Sequence, residues 1–516
     1  MTRRTLIVGD PVVPLGTEAL IPDGAVIVED STITEVGPRS ILEGHGPFDE
    51  ILGSRDSIVM PGFINCHYHS ELAVGPGLYQ YIFEMANISI QGGVGPIRQE
   101  DLYDIVLLGL VQAIRGGQTA TLDMFYGRPS LPHFGTESAL RAYEDIGMRV
   151  AFGLVSRDQN RYAHEPDEAF LRDLSPALAK EIAASPMGYA WPIDEVMATY
   201  DHLVREWDGR GGRTRIMLAP DWTPACSDDL YRLCRRKADE DGTGIVSHVL
   251  ETRSEMMWSQ QVYGKPALAR LRDIGVLGPD MTCAHFVWVT DEELQIFADS
   301  GAVASNNPGS NLRLSSGICR TRDIMAAGGR VAFGTDGISF SDSEDMFTEI
   351  RLAAYLQRFP REFDVIRLDS ETVLRSAAVN GARAIRHEGS LGSLEPGKLA
   401  DMLILDSGRL LYPQGRYDFE PFLDVLLDRA QAGDLRSVMI HGDLVLKDGV
   451  ITTVDEDALR ERVQIAVEQR VYRLSPEVAR WVELGSLVKP KIIDFYRQWY
   501  ETPVEPASAY NARFVR

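Results

Sequence analysis

Eight apolar runs of strand length alternate with helical patterns between residues 57 and 357, and no other feature narrows the fold as far. The runs are SIVMPGFINC, TATLDMF, RVAFGLV, TRIMLAP, GIVSHVL, MTCAHFV, AVASN and RVAFGTD. Helical patterns fall at 101–115, 137–146, 228–240, 291–300 and 345–357. Asp101 and Asp291 open acidic first turns, which the positive end of a helix dipole favours. Eightfold strand–helix alternation predicts an α/β chain folded as a (β/α)8 TIM barrel over residues 61–394. The chain ends have another rhythm. TLIVGD, GAVIVED and TITEVG near the start, and LADMLILD, SVMIHGD and LVLKDGVITTV after residue 398, alternate with period two between Gly, Asp and Pro. They predict a small β-sandwich domain formed from both ends, residues 1–60 and 395–455. The stretch 156–212 is too long for one helix and is rich in Pro, Asp and Arg, so a lid or helical insertion is expected. Residues 456–516 predict a C-terminal helical extension. Its Trp481, Phe495, Tyr496, Trp499 and Tyr500 are too aromatic for a disordered tail, so it should dock on the barrel or on a partner subunit.

Charge and cysteine usage exclude some partners. The 52 basic and 75 acidic residues leave a formal charge of −23, unlike the basic patches that bind nucleic acid or anionic membranes. The five cysteines form no C-x-x-C pair, which argues against a disulfide framework or a zinc knuckle. The start, MTRRTLIVGDPVVP, has no sustained apolar core of a signal peptide, and no run reaches membrane-span length. A soluble cytoplasmic protein is expected.

Four strings carry the chemistry. His67 and His69 close the first run, and residues i and i+2 of a strand point the same way, so both imidazoles can face one ion. His248 closes the fifth run with Glu251 three residues on, His285 closes the sixth, and Asp336 closes the eighth. Each has a bland alternative when taken singly: a core histidine bonded to backbone, a solvated loop acid, an aspartate that forms a turn. Together they all stand at strand C-termini, which in a (β/α)8 barrel face one mouth. They predict a hydrolytic metal site.

The ordered strings PGFINCHYH, IRGGQTATLDMF, SHVLETRSE, AHFVWVTDEEL, SNLRLSSGI, FGTDGISFSDSEDMFTEIRLAAYLQR, NGARAI and GSLEPGKLADMLILD resemble the metal-dependent amidohydrolase superfamily. The likeness spans residues 4–455 and falls in the branch of guanine, cytosine and S-adenosylhomocysteine deaminases and triazine hydrolases. It implies one divalent ion per chain, zinc or alternatively iron(II), held by His67, His69, His248 and Asp336. Dinuclear members use a carboxylated lysine on the fourth strand, and TRIMLAP has no lysine. The implied reaction is hydrolytic deamination of an amino-substituted N-heterocycle by metal-activated water. Asp336 would take a proton from that water, Glu251 would relay protons to the substrate nitrogen, and His285 would hold the developing oxyanion. The partners implied are a small-molecule substrate and water, in a homodimer or higher homo-oligomer.

The substrate side departs from that family. Where many relatives carry an Arg-Gly pair, this chain reads SELAVGPGLYQYIFEMANISIQGG, so Tyr79, Tyr81 and Phe83 offer an aromatic wall or pack a lid helix. The extension would shape the pocket with them. A usual Cys-x-x-His becomes Phe286, Val287 and Trp288, and Asp342 stands where a Ser-Asn pair is common. Trp288 and Asp342 are therefore further substrate-contact candidates, with helix capping the alternative for Asp342. The same site could instead hydrolyse an amide, urea, N-acyl or aryl-halide bond. A non-catalytic scaffold would have lost ligands that this chain keeps. The cysteine-pair zinc deaminases are excluded by the missing Pro-Cys-x-x-Cys.

Overall fold

The computed structural model describes residues 2–17, 20–74, 83–84, 97–358, 368–413, 421–471 and 476–502. Tyr79 and Tyr81 lie outside these residues. The first sheet contains β1 (Arg4–Gly9), β2 (Gly24–Glu29), β3 (Thr32–Pro38) and β4 (Glu50–Gly53) in the order β3-β2-β1-β4. Next come β5 (Ser57–Pro61) and the barrel strands β6 (Phe63–Tyr68), β7 (Gln118–Phe125), β8 (Arg149–Ser156), β9 (Thr214–Pro220), β10 (Ile245–Val249), β11 (Met281–His285), β12 (Val303–Asn306) and β13 (Arg330–Phe333). These eight follow one another in chain order, all parallel. The Asp336 N–H donates to the His67 carbonyl at 2.9 Å and so joins β13 back to β6. The protein is a (β/α)8 barrel with a sheet-containing domain built from the two ends of the chain.

That second domain completes itself with β14 (Met402–Asp406), β15 (Leu435–Ile440), β16 (Asp443–Lys447) and β17 (Val450–Ile451), which pair onto β5. Ile7, Val26 and Val28 of the first sheet share one apolar cluster with Val59, Met402, Ile404 and Met439 of the other. The run SIVMPGFINC, expected as a single strand, is two: β5 pairs antiparallel with β14 and β6 opens the barrel. Gly62 makes the corner. A Cβ there would stand 2.1 Å from Thr119 Oγ1, so no larger residue fits between the two sheets.

The stretch 156–212 is indeed an insertion, with helices Asp167–Arg172, Pro176–Ala184 and Ile193–Trp207. After β17 the chain forms helix Glu456–Ala466 and the long helix Pro476–Glu501. Leu484, Val488, Ile492, Tyr496 and Trp499 of the long helix bury against Phe170, Ile182 and Met187 of the insertion and Trp258 of helix Arg253–Tyr263. The extension thus docks on its own barrel. No described helix is long and apolar enough to cross a membrane.

Candidate metal centre and active site

Strand parity decides which side chains reach the mouth. Val246, Ala219 and Ala332 belong to the barrel-interior cluster, while Ile245, Val249, Leu218, Val331 and Phe333 belong to the layer under the helices. Counting in twos from the interior residues brings His248, Asp221 and Asp336 inward. His67 does not follow this count, because Ile64 and Cys66 are interior as well. An irregularity in register between Asn65 and Tyr68 inserts the extra step, after which His67 faces the site and Tyr68 the outer layer. His285 is also out of phase, since Cys283 lies in the outer layer. Its φ of 67° turns it round. Leu250, Phe286 and Asp336 are left-handed too, with φ of 56°, 52° and 61°. Such backbone is costly in non-glycine residues and collects at functional sites.

The predicted residues come together in one buried cluster. His69 Nε2 lies 3.4 Å from His248 Nε2 and 3.4 Å from Asp336 Oδ1, and His67 Nε2 lies 3.5 Å from the same oxygen. His285 Nε2 is 3.7 Å from Glu251 Oε2 and 4.0 Å from Asp336 Oδ2. Two overlapping sets, His67–His69–Asp336 and His67–His248–His285, have donor atoms close enough to hold one metal ion. The tautomers agree with this. His69 Nδ1 donates to the Met124 carbonyl at 2.6 Å and His248 Nδ1 to the Asp221 carbonyl at 2.7 Å. With each proton on Nδ1, both Nε2 atoms present lone pairs to each other, an arrangement a cation relieves. Neither ring nitrogen of His67 has a hydrogen-bond partner among the described residues. The donor set of imidazoles and a carboxylate suits a divalent transition metal.

Burial sets the charge states. It lowers His69 to about 3. Burial, and then the neighbouring histidines, hold His67 well below the ordinary value. Asp336 is raised by burial to about 6, although Ser310 Oγ and the Gly337 N–H donate to its carboxylate. Glu251 stands well above the ordinary carboxylate range, from burial first and then from Asp336, Glu255 and Glu84. Its Oε2 has no hydrogen-bond partner among the described residues, and Arg253 is turned instead to the Tyr500 and Thr502 carbonyls. Glu251 is therefore free for chemistry. Both Asn311 Oδ1, at 2.9 Å, and Asn307 Nδ2, at 3.3 Å, address His285 Nδ1.

Asp221 is a supporting residue that the histidine pattern does not reveal. It follows β9, accepts from Tyr126 Oη at 3.0 Å, and has its carboxylate 3.3 Å from His248 Nδ1. The one signal in the sequence is an acid directly after the fourth run, in TRIMLAPD. Among the substrate-side candidates, the Trp288 indole donates to the Ser316 carbonyl at 2.7 Å, and the Ser316 hydroxyl stands 3.5 Å from Glu251 Oε1. Asp342 forms an ion pair with Arg313, and Phe83 meets Trp222 edge-on at 5.2 Å.

A parallel eight-stranded barrel with buried imidazoles and carboxylates at its C-terminal mouth defines a hydrolase of the metal-dependent barrel class. Comparison narrows the class. The chain belongs to the amidohydrolase family, whose sequence profile matches residues 58–445. It is 29% identical to a 5'-deoxyadenosine deaminase of Methanosarcina barkeri over 468 residues, 89% of this chain and 96% of that one. An adenosine deaminase from Xanthomonas campestris, crystallised with bound zinc, superimposes with a TM-score of 0.78 at 25% identity, covering 91% of this chain and 99% of that one. An atrazine chlorohydrolase from Arthrobacter aurescens, complexed with zinc, shares the fold at a TM-score of 0.75 and 20% identity, covering 90% and 100%.

Proposed function

We propose that the protein releases ammonia from an amino-substituted N-heterocycle, with His67, His69, His248 and Asp336 holding one divalent ion per chain, zinc in preference to iron. The observation that carries this reading is the 3.4 Å approach of His69 Nε2 and His248 Nε2 beside Asp336. Zinc in the solved relatives supports the choice of metal. When bound, the ion supplies an acidified water near neutral pH. Asp336 would hold the ion and accept the proton of that water. Glu251, protonated because it is buried among acids, gives its proton to a ring nitrogen and then helps the amino group leave. His285, held at Nδ1 by Asn311 and Asn307, turns its Nε2 toward Glu251 and Asp336, where it meets negative charge developing on oxygen. Trp288 secures Ser316 beside Glu251, while Phe83 and Asp342, with Tyr79 and Tyr81, remain candidates for substrate contact.

The deciding experiment is a screen of the purified, zinc-loaded protein against 5'-deoxyadenosine, adenosine, guanine, pterins, aminotriazines and arylureas, scoring ammonia, amine and chloride separately. Ammonia from at least one aminated ring is expected. Chloride or an arylamine as the sole product would contradict the reading.

A further inference from the structure

The C-terminal extension reaches the barrel mouth through a carboxylate that the mechanism above does not use. Glu84 is buried, and its Oε1 accepts hydrogen bonds from Ser254 Oγ and, at 2.8 Å, from Tyr500 Oη. Ser254 stands three residues after Glu251, and its hydroxyl meets that of Thr252 at 2.8 Å. Arg253 ties the same turn to the end of the extension by donating to the carbonyls of Tyr500 and Thr502. Residues 252–254 and 500–502 therefore form one clamp around one oxygen of Glu84. Its other oxygen, Oε2, has no hydrogen bond and no ion pair among the described residues, and the Thr252 hydroxyl and Glu84's own N–H are the further donors near the carboxyl group. Glu84 is close enough to the centre to help push Glu251 upward. Its neighbour Phe83 packs on Trp222, whose backbone bridges to His248.

A buried acceptor with no donor is expensive, and native proteins keep few of them. Here one oxygen is fixed by two hydroxyls and the other is left bare beside the reacting centre. We propose that Glu84, positioned by Tyr500 of the C-terminal extension, is a specificity residue whose Oε2 accepts a hydrogen bond from an N–H or O–H substituent of the substrate remote from the reacting carbon. This rests on the deaminase reading above and assigns the extension a part in substrate selection.

Matched compounds test it. The probes are 9-ethyl-, 9-(2-hydroxyethyl)- and 9-(2-aminoethyl)adenine, and melamines carrying the same three groups on one nitrogen. On whichever ring is deaminated, the wild-type protein should favour a donor-bearing member over the ethyl compound by about tenfold or more in kcat/KM. The hydroxyl and amine arms show which donor is read. Glu84→Gln keeps a carbonyl oxygen for Ser254 and Tyr500 but puts an NH2 donor where the free acceptor was, so the preference should collapse to near one. Tyr500→Phe should lower the preference several-fold through KM rather than kcat. Should Glu84→Gln not fold, Ser254→Ala and Tyr500→Phe together carry the test, each removing one donor to Glu84. A wild-type protein that deaminates a series without preference, or a Glu84→Gln protein that keeps the preference, overturns this inference alone. An unchanged preference in Tyr500→Phe removes the extension's part. Ammonia from neither series, with ammonia from another ring of the wider screen, overturns this inference alone; ammonia from no ring at all overturns the deaminase reading and this inference with it.

Discussion

Single side chains at the mouth have separable jobs. Glu251 holds no ligand position in the proposed site, so Glu251→Gln should retain the ion yet lose about 10²–10⁴-fold in kcat, the usual worth of a general acid–base. Metal analysis beside steady-state rates checks this, and wild-type turnover would remove Glu251 from the mechanism. His285 lies in one of the two candidate metal sets, which makes its variant informative. If it serves the substrate oxygen, His285→Ala keeps the ion and loses about 10²–10³-fold in kcat. Loss of the ion instead would make it a ligand. Asp221 supports the site at His248, by a backbone carbonyl at 2.7 Å and a carboxylate at 3.3 Å, and accepts from Tyr126, which packs on His69. Removing such a support typically weakens metal binding about 10–100-fold. Asp221→Ala should therefore show that loss in a competitive chelator titration, and an unchanged affinity would contradict the support role.

At the scale of elements, strand ends were readable and strand phase was not. Every barrel strand lies within one of the eight apolar runs or no more than two residues beyond it, because buried parallel strands are continuously apolar and are bounded by turn residues. The site histidines and acids were legible for the same reason, standing one after another at run ends. What the runs could not disclose was the register irregularity that turns His67 inward, the left-handed φ that turns His285, or the corner at Gly62, since each depends on a neighbouring strand. Asp221 escaped because a lone acid after a strand has too many ordinary explanations. The long helix of the extension supplies its own test. His164 is buried against Trp222, Trp258, Tyr496 and Trp499, and neither of its ring nitrogens has a hydrogen-bond partner among the described residues. Burial lowers its pKa from 6.5 to about 3. Below 6.5 the unfolded chain takes up a proton that the folded one refuses, so the stability due to neutral His164 is complete above pH 6.5 and is lost as the pH falls toward 3. His164→Phe should flatten that part of the acid limb in melting curves between pH 7 and 4. Parallel curves for the two proteins would show that His164 does not titrate in this way.

Taken whole, the molecule is a barrel with its insertion and extension packed on one another and on helix Arg253–Tyr263. The aromatic content of residues 456–516 announced docking, but its address depended on which barrel helix carried Trp258 and on the insertion's Phe170, neither of which has a sequence signal of partnership. Ile492 lies fully buried in that contact, so Ile492→Ala should cost about 2–5 kcal/mol and lower the melting temperature. An unchanged melting temperature would mean that the extension adds nothing to the folded unit. All the proposed chemistry depends on one ion at one place, and the most direct measurement is metal stoichiometry set against turnover. Elemental analysis of the purified protein, and of His67→Ala, His69→Ala, His248→Ala and Asp336→Ala, should find about one divalent ion per wild-type chain, little in any variant, and ammonia release that follows the bound ion. Two ions per chain, or full activity in metal-free protein, would contradict the account.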